Sequence, residues 1–306
     1  PGTDFTVSSS TLTFTTAPAA NTSFFAVLLG SDNGGTVTPT DGSVTSAKLA
    51  YPFVVNEDGA AASDFRVESD SNTHMLFVDA GNNAVGVNES SPSSYYYNDL
   101  VVNSGDEGGI TIVDTSGGQS SLAFADGTSG SARYSGRILY DHSTDKMRIG
   151  AGGSTYLNID GNGHVTNAYQ PAFLAIIAST QSNIANGNSV TFGTEIYDQN
   201  GDFASSTFTA PVTGKYQFNF CVSVTELDYN ATFSRVYLTT SNRTFGFDIV
   251  SEQHFDDADP SYATFQGSML MDMDANDTAT LNWSQHLGDS TADVFDSTYF
   301  SGFLAC

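Results

Sequence analysis

Apolar and polar residues alternate with a period of two along most of the chain. Phe5-Thr6-Val7, Leu12-Thr13-Phe14 and Tyr216-Gln217-Phe218-Asn219-Phe220 each send every second side chain to one face of a strand. Helical periodicity is nearly absent. Turn-forming clusters punctuate the alternation, among them Ser31-Asp32-Asn33-Gly34-Gly35 and Asp160-Gly161-Asn162-Gly163. Short strands rich in Thr, Phe, Tyr and Val at this spacing predict an all-β protein.

Three textures follow one another. Residues 1–55 hold a few strands and close on the stretch Thr40 to Ala50, a small N-terminal β module. Residues 56–170 are richer in Gly, Asn, Asp and Ser and carry only short apolar runs. Residues 171–306 have the longer strands and most of the Phe, as a complete globular domain would. The middle region repeats itself weakly: Leu76 to Val85 and Leu157 to Val165 both read as strand, Asp-led Gly/Asn turn and return strand. Isolated hairpins of this kind are marginal in water, so their apolar faces need partners. A slender shaft in which the same segments of three chains intertwine answers that need; a compact monomeric sandwich is the alternative.

Composition narrows the function. The chain has 306 residues, with 34 Asp and Glu against nine Lys and Arg, a formal charge of −25. Only 14% of residues are charged, so the acidity comes from a shortage of bases. Three Lys cannot supply a helical bundle. A duplex-binding surface needs a basic footprint, so nucleic acid is excluded as a partner. No run approaches the ~20 apolar residues of a membrane span. The hydrophobic content, 39%, suffices for real cores. Cys221 and Cys306 are too few for a disulfide framework, and either pair with each other or remain free thiols. The chain opens at Pro1 within a β pattern, without Met or signal peptide, so an upstream portion is expected.

The most specific pattern lies between Phe192 and Phe220. Phe208-Thr209-Ala210-Pro211-Val212-Thr213-Gly214-Lys215-Tyr216-Gln217-Phe218 resembles the diagnostic stretch of the complement C1q-like globular head, a relative of the tumour-necrosis-factor-like jelly rolls. Pro171 to Ala175 and Phe300 to Leu304 resemble that family's first and last strands, and Asn276-Asp277-Thr278 its acidic turn. Gly214 reads as a turn glycine, and the interval from Phe203 to Phe208 is about two residues short, as a trimmed loop would be. Upstream, Thr40 to Ala50, Phe77 to Val87 with Ser91-Pro92, and Gly130 to Arg148 resemble recurring stretches of bacteriophage tail fibres, in the fibre order. The resemblance implies a homotrimer: an N-terminal module, a hairpin shaft and a jelly-roll head.

In such a jelly roll, loops alternate between base and tip. Antiparallel counting puts loops 226–232, 252–261 and 288–297 at the far tip. They hold Glu226, Asp228, Glu252, Asp256, Asp257, Asp259, Asp289, Asp293 and Asp296, nine of the head's 16 acidic residues, and neither Lys nor Arg. Threefold symmetry would triple that charge, which repels itself unless a cation or basic partner offsets it. These residues apart from Glu252, with Tyr229, Asn230 and His254, form the expected receptor-binding set. Asp256, Asp257 and Asp259 are the candidate calcium ligands, oxygen donors being what that ion takes. The alternative is that acidic loops only solvate the tip.

Other candidates have plainer readings. Asp272 to Asp277 starts like a calcium hand, yet Asp277 stands where Gly is required and Trp283 where the closing Glu belongs, so it reads as a turn. His74, His142, His164, His254 and His286 show no metal spacing. Asp141-His142 lacks a strained nucleophile elbow. Arg133, Arg137, Lys146 and Arg148 make a basic stripe that either docks anionic polysaccharide or pairs with Asp141, Asp145 or neighbouring chains. Trp283 reads as core, and at least one ring of Tyr95-Tyr96-Tyr97 must lie outside or between subunits.

The expectation is a virion fibre on the extracellular side that attaches to a host-cell receptor, with a glycan among the receptor types. It would join other virion proteins upstream of Pro1, insert in no membrane, and carry no catalytic residues and no cofactor beyond the candidate calcium. A secreted C1q-like ligand-binding protein is the second reading, although neither a Gly-X-Y repeat nor heptads appear. A fibre-borne polysaccharide depolymerase is the third.

Overall fold

The structure is a computed structural model describing residues 4–9, 11–21, 23, 59–250, 261–288 and 291–306. The described residues are β throughout apart from short 3-10 turns, as the alternation predicts. The chain divides into two compact units, residues 1–110 and 111–306. The stretch Thr40 to Ala50 lies outside the described residues.

In the first unit, β1 (Phe5–Ser8) and β2 (Thr11–Phe14) pair as a hairpin with Phe5 opposite Phe14. A four-stranded sheet follows, β3 (Phe65–Val67), β4 (Leu76–Asp79), β5 (Ala84–Val87) and β6 (Leu100–Val102), antiparallel except between β5 and β6. The β4–β5 hairpin is the Asp-led turn read from the sequence: Asp79 Oδ1 accepts the Asn82 N–H at 3.0 Å, and Asn83 takes a left-handed φ of 55°. Among the described residues its core is thin, built on Phe77, Ala84 and Val101. Tyr95, Tyr96 and Tyr97 form a bend after the 3-10 turn Pro92–Ser94 rather than a strand, and all three rings are exposed, Tyr96 by 91%.

The second unit begins with an antiparallel meander: β7 (Gln119–Phe124), β8 (Gly136–Asp141), β9 (Lys146–Ala151), β10 (Ser154–Ile159) and β11 (Val165–Asn167). The repeated hairpin closes here between β10 and β11, where Asp160 Oδ1 accepts the N–H groups of Asn162 and His164.

The remaining strands build a two-layer jelly roll. One layer holds β12 (Ala172–Ile176), β13 (Gln181–Ala185), β14 (Thr194–Asp198), β17 (Gly214–Thr225), β20 (Ala263–Met273), β22 (Thr291–Val294) and β23 (Tyr299–Leu304). The other holds β15 (Phe203–Ala204), β16 (Thr207–Thr209), β18 (Phe233–Thr240), β19 (Thr244–Val250) and β21 (Thr278–His286). First and last strands are neighbours, Phe173 opposite Gly302. Tyr216, Phe218, Phe220, Val222 and Val224 of β17 face the other layer and are buried, the period-two pattern made physical. Phe173 stacks on Phe203 and Phe208 at centroid distances of 4.6 and 5.1 Å. Trp283 is buried edge-on against Phe265 at 5.3 Å, so it is core and not a sugar platform.

Two local readings gain a physical cause. Gly214 opens a strand rather than making a turn. A Cβ there would lie 2.7 Å from Leu304 Cδ1 and 2.8 Å from the Cys306 carbonyl, so close approach of the C-terminus selects the glycine. The short Phe203–Phe208 interval is a two-residue hairpin whose turn residues, Ser205 and Ser206, both sit at positive φ, 50° and 63°. Cys221 is buried and Cys306 exposed, and both are free thiols. Asp272 to Asp277 closes as a turn between β20 and β21, with Asp277 Oδ2 accepting the Asp274 N–H at 2.8 Å.

Candidate functional site

Strand register orients the head. Val224 pairs with Ala263, Phe233 with both His286 and Val250, and Thr225 with Asp293, so the connections leaving these residues gather at one end. At the opposite end Ala172 pairs with Phe303, and Gly214 with Met273. The chain therefore enters the head and finishes at one end, while loop 226–232 and the turn after His286 lie at the other.

Two of those loops are described in part, and they touch. Leu227 is buried and anchors loop 226–232, while Glu226 takes a left-handed φ of 59°. Asp228 Oδ1 accepts both the backbone N–H and the side-chain amide of Asn230, at 2.7 and 3.0 Å, closing an Asx turn. Tyr229 at its apex is half-buried and Asn230 exposed. The Thr232 N–H donates to the His286 carbonyl at 2.9 Å, and its hydroxyl lies 2.8 Å from His286 Nδ1. A Cβ on Gly288 would stand 2.6 Å from Asp228 Oδ2, so the glycine lets the two loops close up.

The acidic residues differ in how free they are. Asp293 is not a loop residue: it lies in β22, where Oδ1 accepts the Asn183 N–H at 2.7 Å and Oδ2 the Ser182 hydroxyl at 3.1 Å. Its carboxylate ties β13 to β22. Asp296 is exposed on the turn into β23, beside Ser297 at φ 83°. Glu252, His254, Asp256, Asp257, Asp259 and Asp289 lie outside the described residues. No cluster of three metal-ligating side chains occurs among the described residues.

Near this end, sequence reading missed a ladder on the outer face of β18. The Arg235 guanidinium lies over the rings of Phe233 and Tyr237, at 4.8 and 5.2 Å, and forms an ion pair with Asp248. Its pKa is raised, first by the hydrogen bonds to Asp248 and then by the Tyr237 hydroxyl. His286 stacks parallel on Phe233 at 5.2 Å. The available signal was Phe233-Ser234-Arg235-Val236-Tyr237, which puts a cation between two aromatics on one strand face.

Outward residues of the other layer form a second surface that the sequence reading did not locate. Leu270, Gln217 and Phe303 share one row, and Gln266, Cys221, Tyr299 and Ile176 another. A polar strip runs between them, with Ser268 Oγ donating to Asn219 Oδ1 at 2.8 Å.

In the meander, Arg148 bonds Asp141 at 3.0 Å, the pairing outcome of the basic stripe. Arg137 reaches the Thr155 hydroxyl at 3.3 Å and lies over the Tyr134 ring. Lys146 and Arg148 border an open groove with Asn158, Asp160, His164 and Thr166. Asp141 is bound by Ser143, Arg148 and Gln119, whereas His142 turns to the Ser120 hydroxyl at 3.1 Å, so the two do not form a catalytic relay.

None of the curated proteins matches the chain. Among solved structures, the globular domain of a zebrafish complement 1qA protein is 20% identical over 45% of this chain and 98% of its own, with a TM-score of 0.36. Murine APRIL is 9% identical over 44% of this chain and 98% of its own, with a TM-score of 0.33. A family model described as the C1q domain matches residues 172–305. The residues matched are those of the two-layer jelly roll, under half of the chain.

Proposed function

We propose that the protein is a non-catalytic, homotrimeric recognition protein that contacts its target through the free end of the C1q domain. One observation carries this reading: register puts the Asp228–Asn230 turn, His286 and Asp296 at the end away from Pro171 and Cys306, clear of the incoming chain. Glu226, Asp228, Tyr229, Asn230 and Asp296 supply carboxylate, amide and phenol groups suited to a basic protein surface or to sugar hydroxyls. His254, Asp256, Asp257, Asp259 and Asp289 would complete that surface, with calcium held at Asp256, Asp257 and Asp259 in its metal-dependent version.

Within this reading the protein is a virion attachment fibre. The support is the β-hairpin architecture of residues 59–167 and the fibre-like order of its motifs. The match of the head to the C1q domain favours a second reading, a secreted ligand-binding protein that engages its receptor in the same manner.

Both are tested by binding labelled full-length chain to candidate cells, with and without calcium, beside Tyr229→Ala/Asn230→Ala and a base-end variant, Thr213→Ala. Binding lost only in the tip variant supports the reading; equal loss in both overturns it. Calorimetric titration that shows neither heat nor a melting shift removes the calcium version.

A further inference from the structure

The meander β7–β11 has two unlike faces. Cross-strand partners share a face, and the register runs Leu122–Ile138–Ile149–Leu157, flanked by Tyr140–Met147–Ile159–Val165 and by Phe124 and Ala151. This face is apolar at its centre, with Ser120, Ser154 and Asn167 at its edges, and it is open: Phe124 is 58% exposed, Leu122 53%, Ile138 41%, Ile149 44% and Val165 61%. The reverse face carries Arg137, Lys146, Arg148, Asn158 and Thr166, polar groups around the buried Leu139 and Asp141.

We infer that the apolar face of β7–β11 is a self-association surface, covered in the assembled protein by the same sheet of other copies of this chain. The inference deepens the homotrimeric reading above by assigning contacts outside the C1q domain.

Three observations select a copy of the chain as the occupant. The first is charge. Residues 119–167 contain four acids (Asp126, Asp141, Asp145, Asp160) and four bases (Arg133, Arg137, Lys146, Arg148), a net charge of zero within a chain of net −25. Copies of so acidic a chain repel one another, and they meet most cheaply where that charge vanishes. A foreign partner would impose no such neutrality.

The second is size. Four strands of six residues and one of three, at about 4.8 Å spacing and about 3.3 Å per residue, give a face of roughly 430 Å². That is as large as the largest apolar patch a monomer usually leaves bare, and over half of the ~800 Å² per partner in a standard interface. The third is continuity. Five residues separate the β11 start at Val165 from Pro171, and the junction is fastened. Gln199 Nε2 donates to the carbonyls of Asn167 and Gln170 at 2.7 and 3.0 Å, Asn200 to Tyr169 at 2.9 Å, and Gln170 to Leu304 at 2.6 Å. Copies that associate through the head's open face, with Leu270, Phe303 and Tyr299, bring their sheets along, and the two faces together supply the remaining area.

Thiol labelling of the full chain in a Cys306→Ser background tests this. Ile149→Cys and Leu122→Cys place a thiol on the apolar face, and Asn158→Cys places one on the reverse face as the control. At three times the 32.3 kDa chain mass in sedimentation, the thiols at 149 and 122 should react with a bulky maleimide roughly tenfold or more slowly than that at 158. A bismaleimide should join the chains from position 149 and not from 158. Trimer mass with equal labelling at all three positions overturns the inference and leaves the trimeric reading intact. Single-chain mass overturns both, even where the apolar-face thiols are protected, since the cover is then intramolecular.

Discussion

The jelly-roll head and the meander before it are written in the same alternating code and end in opposite states. In the head, the apolar faces of two layers meet within one chain, so Trp283, Phe218 and Phe300 are buried. In β7–β11 the alternation is as regular and the inward row as apolar, but that chain segment supplies no second layer and Leu122, Ile138 and Ile149 remain exposed. Period-two alternation thus specifies a face, and the number of strands that follow decides whether the cover is internal. Twelve strands follow Pro171, enough to fold back on themselves. The five before it make one layer only.

The sharpest break of this comparison is a truncation in each region. Trp283→Ala removes a fully buried ring from the head and should cost about 3–5 kcal/mol, read as a lowered urea midpoint by circular dichroism. Ile149→Ser removes a half-exposed side chain and should change the unfolding of a separated chain by roughly 0.5 kcal/mol or less, while lowering the assembled fraction in sedimentation. Equal unfolding costs would mean that the meander has an internal core after all.

A smaller effect tests how tightly the head is filled. Gly302 lies between rings: a Cβ there would stand 2.6 Å from Phe218 Cδ1 and 2.8 Å from Phe173 Cε1. Gly302→Ala should destabilise by about 1–3 kcal/mol through overpacking. The matching glycine in the meander, Gly163 at φ 84°, has open space around it. Gly163→Ala meets only the left-handed backbone penalty, ~1 kcal/mol. A thermal melt that ranks Gly163→Ala as the worse substitution would reverse the contrast. Ser205 in the β15–β16 turn sits at φ 50°, so Ser205→Asn should gain a few tenths of a kcal/mol.

Much of this was legible in the sequence because its causes are local. The strand at Tyr216-Gln217-Phe218-Asn219-Phe220, the hairpins at Asp79 and Asp160 and the core position of Trp283 follow from alternation and turn chemistry. Loop 226–232 and the turn after His286 lie at one end of the head, and loop 252–261 falls almost wholly outside the described residues. What sequence could not show is long-range. Asp293 reads as a loop acid until β13 is found against it, 110 residues away at Asn183. The Arg235 ladder depends on β19 delivering Asp248, and Gly214 on where the chain ends at Cys306. The candidate site is therefore legible as a place and less so as a set of free groups.

The smallest predicted effect is a pH response of opposite sign at two carboxyls, Asp141 in the meander and Asp202 in the head. In the meander, Asp141 is held below the usual carboxylate range, first by the Ser143 hydroxyl and then by its N–H and Arg148. Asp160 is held low by His164. A lowered carboxyl contributes stability that is fully present above pH ~4 and is lost as pH falls through the lowered folded value. In the head, burial raises the Asp202 carboxyl and neighbouring Asp198 adds to it, while Oδ2 has no partner. A raised carboxyl costs stability at neutral pH, and that cost disappears as pH falls through the raised value toward ~4. Asp141→Asn should therefore melt below wild type at neutral pH, with the deficit closing near pH ~3. Asp202→Asn should melt above wild type at neutral pH, with the gain fading as the solution is acidified. A deficit for Asp202→Asn at neutral pH would show that its carboxylate is an acceptor the head needs, and would give both substitutions the same sign.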